Sequence, residues 1–330
     1  MGSGVLNGYI ELASSLGLDA NALLQSAGLS ARSLDDSKSL LSVAAVGRLL
    51  ELSAERSGAE DFALRLLARH PLSNLGPISL ILFEDATPRQ TLNNLCRYLR
   101  LLGASLITHV QEEGTMVIIR NEILAEAGTP LRQPTELVVG VMFRILCELI
   151  GPQRRPVQVC FTHRSPRDTG AHQAFFGSGL LQYNQVFNGL VYRATDLQIR
   201  CAKADPYMAG CARDYLDRAL ARRRQAMSDI VRQLIVSQLR RGRCTLQHLA
   251  QNLRVDRRTI HRYLAAEETS FSALLEEVRR ALVQLLLRDS DMALREVAES
   301  LGFASLSAFG HWFRDSFGCS VTQLRKLGHQ

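Results

Sequence analysis

Residues 257–262 read Arg-Arg-Thr-Ile-His-Arg. At 3.6 residues per turn, Ile260 and Leu264 fall on one inner stripe, with Val255 just ahead of it. All three are expected to be buried. Arg257, Arg258, His261 and Arg262 then turn outward. A guanidinium is a planar donor fork that matches phosphate oxygens and the O6/N7 edge of guanine. Three of them with an imidazole on one short face suit contact with duplex nucleic acid. A solvated basic face has the same composition, so this cluster alone does not separate the two readings.

A second cluster lies 48 residues on. Ser305, Leu306, Ser307, His311 and Arg314 share the outward face of a helix whose Phe309, Trp312 and Phe313 point to a core. Leu306 suits a thymine methyl, and the hydroxyls suit phosphate or base edges. The face is poor in cations, so fewer contacts or shape readout are expected of it.

Other chemistry finds no support. The sequence has no GxSxG, Walker, HExxH or GxGxxG motif. His163 and His172 follow Cys160, but that spacing with one cysteine is not a metal-ligand pattern. No carboxylate stands in an isolated apolar setting that suggests a shifted pKa. The expectation is a protein that is not an enzyme and uses no cofactor and no metal.

Charge locates the expected contact region once the chain is divided. Residues 1–200 carry 18 Lys/Arg against 18 Asp/Glu, and residues 201–330 carry 21 against 14, so the net +7 resides in the last 130 positions. Nineteen of those 21 are arginine. Apolar residues make up 46%, enough for a sizeable core in each of two domains. No apolar run is long enough to span a bilayer and no secretory signal opens the chain. The seven cysteines form no CxxC pair and read as reduced thiols. A cytoplasmic location without membrane contact is expected.

The elements that would position the two clusters can be read from periodicity and caps. Val5–Leu16, Ala20–Ala27, Val43–Ser57 and Asp61–Arg69 have helical spacing. Thr87-Pro88-Arg89-Gln90 starts a helix running to about Leu102. Leu106–Gln111 and Thr115–Ile119 alternate around Glu112-Glu113-Gly114, a hairpin signal. Thr135–Ile150 is helical, and Val157–Thr162 and Val186–Tyr192 are strand-like. From Asp205-Pro206 onward the strand signal ends. The stretch 212–225 is helical and basic, including Arg222-Arg223-Arg224, and Arg240-Arg241-Gly242 closes the next helix.

The C-terminal part also repeats itself. Leu249-Ala250-x-x-Leu253-x-Val255 recurs as Val297-Ala298-x-x-Leu301-x-Phe303, and with one residue slipped in, Ile260 and Leu264 match Phe309 and Phe313. Each copy reads as a short helix, a tight turn and a second helix. Ala250 and Ala298 let the helices cross closely, and Gly302 supplies a turn position that tolerates positive φ. A helix over about 271–288 joins the copies.

These residues resemble the AraC/XylS transcription regulators over about 229–327. The resemblance is carried by Leu249-Ala250, the run Arg257 to Leu264, Glu276-Glu277-Val278-Arg279-Arg280, and Leu286-Leu287-Arg288-Asp289. It continues through Glu296-Val297-Ala298, Leu301-Gly302-Phe303, Ser307-Ala308-Phe309 and Phe313-Arg314 to Phe317-Gly318. The first 200 residues look like the α/β domain labelled arabinose-binding in one branch of that family, and Ala204-Asp205-Pro206 fits the same branch. Departures are Arg254 at a usual turn Gly, Ala304 at a usual Ser cap (leaving Ser305 to cap), Gly310 within the second helix, Val321 for Pro and Leu324 for an aromatic.

The resemblance implies an α/β N-terminal regulatory domain plus an all-α C-terminal domain with two tandem helix-turn-helix units joined by a linker helix. The expected boundaries are 1–200, a basic linker at 201–228, and 229–330. The implied partners are double-stranded promoter DNA, RNA polymerase, a small-molecule effector and a second copy in a homodimer. Activation is the expected output, with repression as the other sign. For the N-terminal domain, self-association alone is the alternative to effector binding. A DNA-repair methyltransferase fused to such a unit would need a Pro-Cys-His-Arg site and clustered cysteines, which the sequence lacks. The remaining alternative is an interaction protein whose helix-turn-helix has lost DNA binding.

Overall fold

The computed structural model describes residues 1–330 apart from 36–39, 70, 83, 104, 126–127, 152, 202–204, 223–225, 240–243, 254, 290 and 328–330. Arg254, Arg223-Arg224 and Arg240-Arg241-Gly242 therefore lie outside the described residues.

The chain opens with short helices: α1 (Tyr9–Ser15), α2 (Ala20–Ala27), α3 (Ala31–Asp35), α4 (Val43–Ser57) and α5 (Phe62–Ala68). Their apolar faces meet in one core that includes Tyr9, Leu23, Leu49 and Phe62. Helix α6 (Pro88–Tyr98) starts as its sequence anticipates, with Thr87 accepting the Gln90 N–H and Pro88 in the first turn, and passes into a 3₁₀ segment, Leu99–Leu102. The hairpin β1 (Leu106–Glu113) and β2 (Met116–Ile123) turns at Gly114-Thr115, with longer strands than alternation indicates. Helix α7 (Arg132–Ile150) follows, and its Gln133 side chain accepts the Ala63 N–H at 2.7 Å, tying it to α5.

Strand β3 (Gln158–Cys160), helix α8 (Gly170–Phe176), strand β4 (Leu181–Gln182) and strand β5 (Gly189–Arg193) complete a sheet of order β1-β2-β5-β3-β4. All neighbours are antiparallel except β3 and β4. Gly189 has φ +150, and a Cβ there would collide with the Ile119 carbonyl, so close approach of β5 to β2 requires glycine. Sequence periodicity indicates neither β4 nor α8. A two-residue strand has no period to read, and the Pro- and Gly-containing run before α8 masks a seven-residue helix.

Helix α9 (Pro206–Arg222) occupies the segment read as a linker. Its Ala212 and Leu216 are buried in the core beneath the sheet, Arg213 pairs with Asp85 at 2.9 Å, and Asp217 accepts the Tyr98 hydroxyl at 2.8 Å. The region beyond is entirely helical among the described residues: α10 (Met227–Gln238), α11 (Leu246–Leu253), α12 (Arg257–Ala266), α13 (Phe271–Asp289), α14 (Leu294–Ser300), α15 (Leu306–Phe317) and α16 (Val321–Leu327). It has its own core, with Leu249, Ile260, Val283, Val297, Phe309 and Phe313 at its centre. The two regions touch where Arg164 pairs with Asp291 at 2.8 Å and the Asn184 side chain accepts the Asp291 N–H at 3.0 Å. No helix among the described residues is long and apolar enough to cross a membrane.

Candidate nucleic-acid interface

Two short helix pairs dominate the C-terminal region. In the first, α11 packs on α12 through Leu249, Ala250, Ile260 and Leu264, all buried. In the second, α14 packs on α15 through Val297, Ala298, Phe309 and Phe313. The turns repeat one backbone bond. Val255 N–H reaches the Ala250 carbonyl at 3.1 Å, and 48 residues later Phe303 N–H reaches the Ala298 carbonyl at 3.0 Å.

The helix starts that follow are capped one residue out of step, as the slipped residue requires. Asp256 accepts the Thr259 N–H at 2.6 Å, and Ser305 accepts the Ala308 N–H at 3.1 Å. The Thr259 hydrogen bond holds the Asp256 carboxyl below its ordinary range, which keeps the cap charged. Ser305 thus fills the role left open by Ala304.

Gly302 adopts φ +74, and a Cβ on it would stand 2.7 Å from the Leu239 carbonyl oxygen. Arg279 of α13 closes this second turn, donating to the Leu301 carbonyl at 3.1 Å with its guanidinium 4.3 Å from the Phe303 ring centroid. The first turn differs. Val255 is 37% exposed, against the expectation that it is buried. Phe303, at the same place in the repeat, packs on Phe309 and Trp312 under Arg279, whereas Val255 is a smaller side chain outside the buried cluster.

The candidate contact residues are all exposed: Arg257, Arg258, His261 and Arg262 on α12, Ser305 at the start of α15, and Leu306, Ser307, His311 and Arg314 along it. None of the four arginines forms an ion pair among the described residues; Arg262 lies 5.4 Å from the ring of Tyr263. By contrast, Arg232 and Arg280 are engaged by Glu277 and Glu276. Cationic groups are therefore left available on the outer face of α12, while Arg232 and Arg280 are neutralised by carboxylates of α13. Tyr263, 47% exposed, adds an aromatic to that face that helical spacing alone did not single out.

Two carboxylates that sequence reasoning missed brace the helix pairs. Glu276 of α13 accepts the Trp312 indole N–H at 2.6 Å and the Ser316 hydroxyl at 2.7 Å, and pairs with Arg280 at 2.9 Å. Burial raises its pKa, but these three donors outweigh that and hold it below the ordinary value. Its i,i+4 relation to Arg280 was visible in the sequence; the reach to Trp312 was not. Glu267, just past α12, accepts the Met227 and Ser228 N–H groups at 2.6 and 2.8 Å and so caps α10 from a distance.

In the N-terminal region, Glu136 is completely buried between His163 and His172, with nitrogen–oxygen distances of 3.5 and 3.1 Å. The sequence did not reveal this cluster, because the two histidines stand 27 and 36 positions from Glu136 along the chain. Burial lowers the His163 pKa against the opposing pull of Glu136. Cys160 lies elsewhere, packed with Ile118, Phe187 and Val191. Among the described residues no group of three such side chains is arranged to hold a metal ion.

A mixed α/β region followed by a helical region with a helix-turn-helix domain is the construction of a DNA-binding transcription regulator. The model of the arabinose-binding N-terminal domain of AraC transcription regulators matches residues 17–200, and a helix-turn-helix domain model matches residues 249–327. The chain belongs to the AraC family of transcription regulators. It is 28% identical over 323 residues to the HTH-type transcriptional regulator VirS of Mycobacterium tuberculosis, covering 97% of this chain and 95% of that one. It is 24% identical over 313 residues to the ornithine utilization regulator of Pseudomonas aeruginosa, covering 92% and 90%. A crystal structure of the transcriptional regulator CdpR from Pseudomonas aeruginosa aligns over 93% of this chain and 96% of that one, at 18% identity and a TM-score of 0.45. The protein is thus a DNA-binding transcription regulator, in a family of regulators rather than enzymes.

Proposed function

We propose that the two helix pairs are tandem helix-turn-helix units, joined by α13, that place α12 and α15 in successive major-groove segments of promoter DNA. The observation that carries this is the repeated turn bond, Val255 to Ala250 and Phe303 to Ala298, each followed by a capped helix with a polar outer face. Arg257, Arg258, His261 and Arg262 would contact one half of the site. Ser305, Leu306, Ser307, His311 and Arg314 would contact the other, about one helical turn (~34 Å) away. The unpaired arginines favour this over a helix-turn-helix that has lost DNA binding.

The working division is a regulatory part at 1–200, a connection at 201–228 formed largely by α9, and the DNA-binding part at 229–330. The regulatory part binds a small-molecule effector, and the Asp291 contacts with Arg164 and Asn184 give it a route to the loop before α14. The output in this reading is activation by contact with RNA polymerase, with repression as the other sign, in the cytoplasm of a bacterium.

A second copy is the partner best suited to the outer face of α9. Tyr207, Cys211 and Tyr215 are exposed there at four-residue spacing, and Asp205 and Arg218 stand exposed at either end. An antiparallel pair centred near Cys211 would set Tyr207 against the other copy's tyrosine at 215 and each aspartate near an arginine.

Nuclease footprinting on the DNA upstream of the protein's own gene tests the main reading. Two protected segments about one turn apart are expected. Absence of any protection, with binding that does not weaken between 50 and 200 mM salt, would remove the electrostatic basis of the interface; neutralising about 6–10 phosphates should weaken binding by roughly 10³–10⁵ over that range.

A further inference from the structure

Both oxygens of Glu136, Nε2 of His163, both ring nitrogens of His172 and the Tyr183 hydroxyl are buried without an aligned hydrogen-bond partner among the described residues. His163 Nε2 stands 3.5 Å from one Glu136 oxygen, and His172 Nε2 stands 3.1 Å from the other. The His163 tautomer is fixed by its neighbour. Its Nδ1 lies 2.8 Å from the Arg164 carbonyl, which can only accept, so Nδ1 carries the proton. A neutral His163 therefore turns the bare Nε2 lone pair toward a carboxylate oxygen.

With Glu136 ionised and both imidazoles neutral, the cluster is one proton short. His172 can give its Nε2 proton to one oxygen, but His163 and the other oxygen face each other as two electron-rich atoms away from water. One added proton between them turns repulsion into a hydrogen bond and draws the two groups together. The other charged or titratable groups that face His163 are Arg132 of α7, itself paired with Glu51 at 3.8 Å, and Tyr183, whose ring centroid is 5.6 Å away. Phe161, just past β3, covers the imidazole at 4.9 Å between centroids.

His163 also holds the contact between the two parts of the chain. Its carbonyl accepts the Asn184 N–H at 3.1 Å, and Asn184 has φ +56, sparsely populated by residues with a side chain. Asn184 Oδ1 accepts the Asp291 N–H at 3.0 Å, and Arg164 pairs with the Asp291 carboxylate at 2.8 Å. Both arms of this clamp on Asp291 originate at His163, and Asp291 lies in the loop leading to α14.

We propose that Glu136, His163 and His172 form a proton switch, in which uptake of one proton draws His163 to Glu136 and tightens the clamp on Asp291. The proposal rests on the reading of the Asp291 contact as the link between the regulatory and DNA-binding parts. Burial lowers the His163 pKa more than Glu136 raises it, which places uptake on the acid side of the ordinary value of 6.5. The tightened contact is present below that folded value and is lost as pH rises through it.

The test is NMR of the full chain between about pH 4.5 and 8, following the imidazole nitrogens of His163 and His172 beside hydrogen exchange at the Asp291 amide. Neutral His163 is expected as the Nδ1–H tautomer. Protection of the Asp291 amide, corrected for the intrinsic pH dependence of exchange, should rise about fivefold or more as the cluster takes up its proton, the lower end of coupling between sites. Glu136→Gln offers His163 Nε2 an amide proton without charge, so protection should stay high across the range. Protection that does not change through the titration overturns the proposal, as does a neutral His163 protonated at Nε2. Two surface variants decide if Glu136→Gln does not fold. Arg164→Gln and Asp291→Asn both open the clamp, and reciprocity requires each to weaken proton uptake by about the same fivefold or more. Electrostatics alone moves them in opposite directions, because losing the cation strengthens uptake and losing the anion weakens it. Stronger proton binding in Arg164→Gln therefore overturns the switch. A footprint on promoter DNA beside an unresponsive clamp removes the switch and leaves the DNA-binding reading standing.

Discussion

Replacing Arg258 or Arg262 with alanine should cost DNA discrimination far more than stability. Both side chains are exposed and form no ion pair among the described residues, so truncation leaves no buried partner uncompensated. Arg262 gives up only an exposed cation–π contact with Tyr263, 5.4 Å from its ring, worth about 0.5–1 kcal/mol. Alanine's helix propensity offsets a few tenths of that. A bidentate guanine contact, by comparison, is worth about 1–3 kcal/mol, or roughly 5- to 150-fold in affinity for the correct base. His311→Ala should cost less and act on the other half of the site, because an exposed imidazole replaces a fork of donors. The assay is base-by-base competition binding with the full chain at one salt concentration, beside thermal unfolding by circular dichroism. The unfolding control matters most for His311, whose neighbour Trp312 is tied to Glu276 at 2.6 Å. Equal losses in both halves, or a larger loss from His311→Ala, would show that α15 carries the specificity and refute the reasoning from exposed donors.

Gly302→Ala should destabilise the C-terminal region by about 1–3 kcal/mol in urea denaturation, through positive φ and the crowding against the Leu239 carbonyl. Gly318→Ala shares the positive φ without a neighbour within 4 Å, so equal losses in the two variants would discount the crowding. Glu276 is held below its ordinary value of 4.5, so its stabilisation is present above that pH and lost as pH falls through the lower folded value. Trp312 is the single tryptophan, so its fluorescence should report loosening on acidification that is weaker in Glu276→Gln; an identical acid transition in both would count against the contact. Tyr215→Glu should shift the chain toward monomer in sedimentation velocity, and an unchanged species distribution would remove α9 as the pairing face.

The sequence by itself determined the features that a few neighbouring residues can encode. The 3.6-residue stripe of Ile260 and Leu264 and of Phe309 and Phe313 set the inner and outer faces of α12 and α15. The caps at Thr87 and Ser305 and the positive φ of Gly302 were legible because each depends on backbone geometry within one turn. Tertiary structure decided what depends on distant partners. Trp312 finds Glu276 across 36 positions, Tyr98 finds Asp217 across 119, and that second bond helps dock α9 on the sheet domain. Strand β4 exists only because β3 lies beside it, and Val255 is exposed because its side chain lies outside the buried cluster. Glu136 reads as an ordinary carboxylate in a helix; only the fold encloses it between two imidazoles. Local periods and caps are properties of a chain segment, whereas burial and pairing are properties of surfaces that meet after folding, and no spacing along the chain records them.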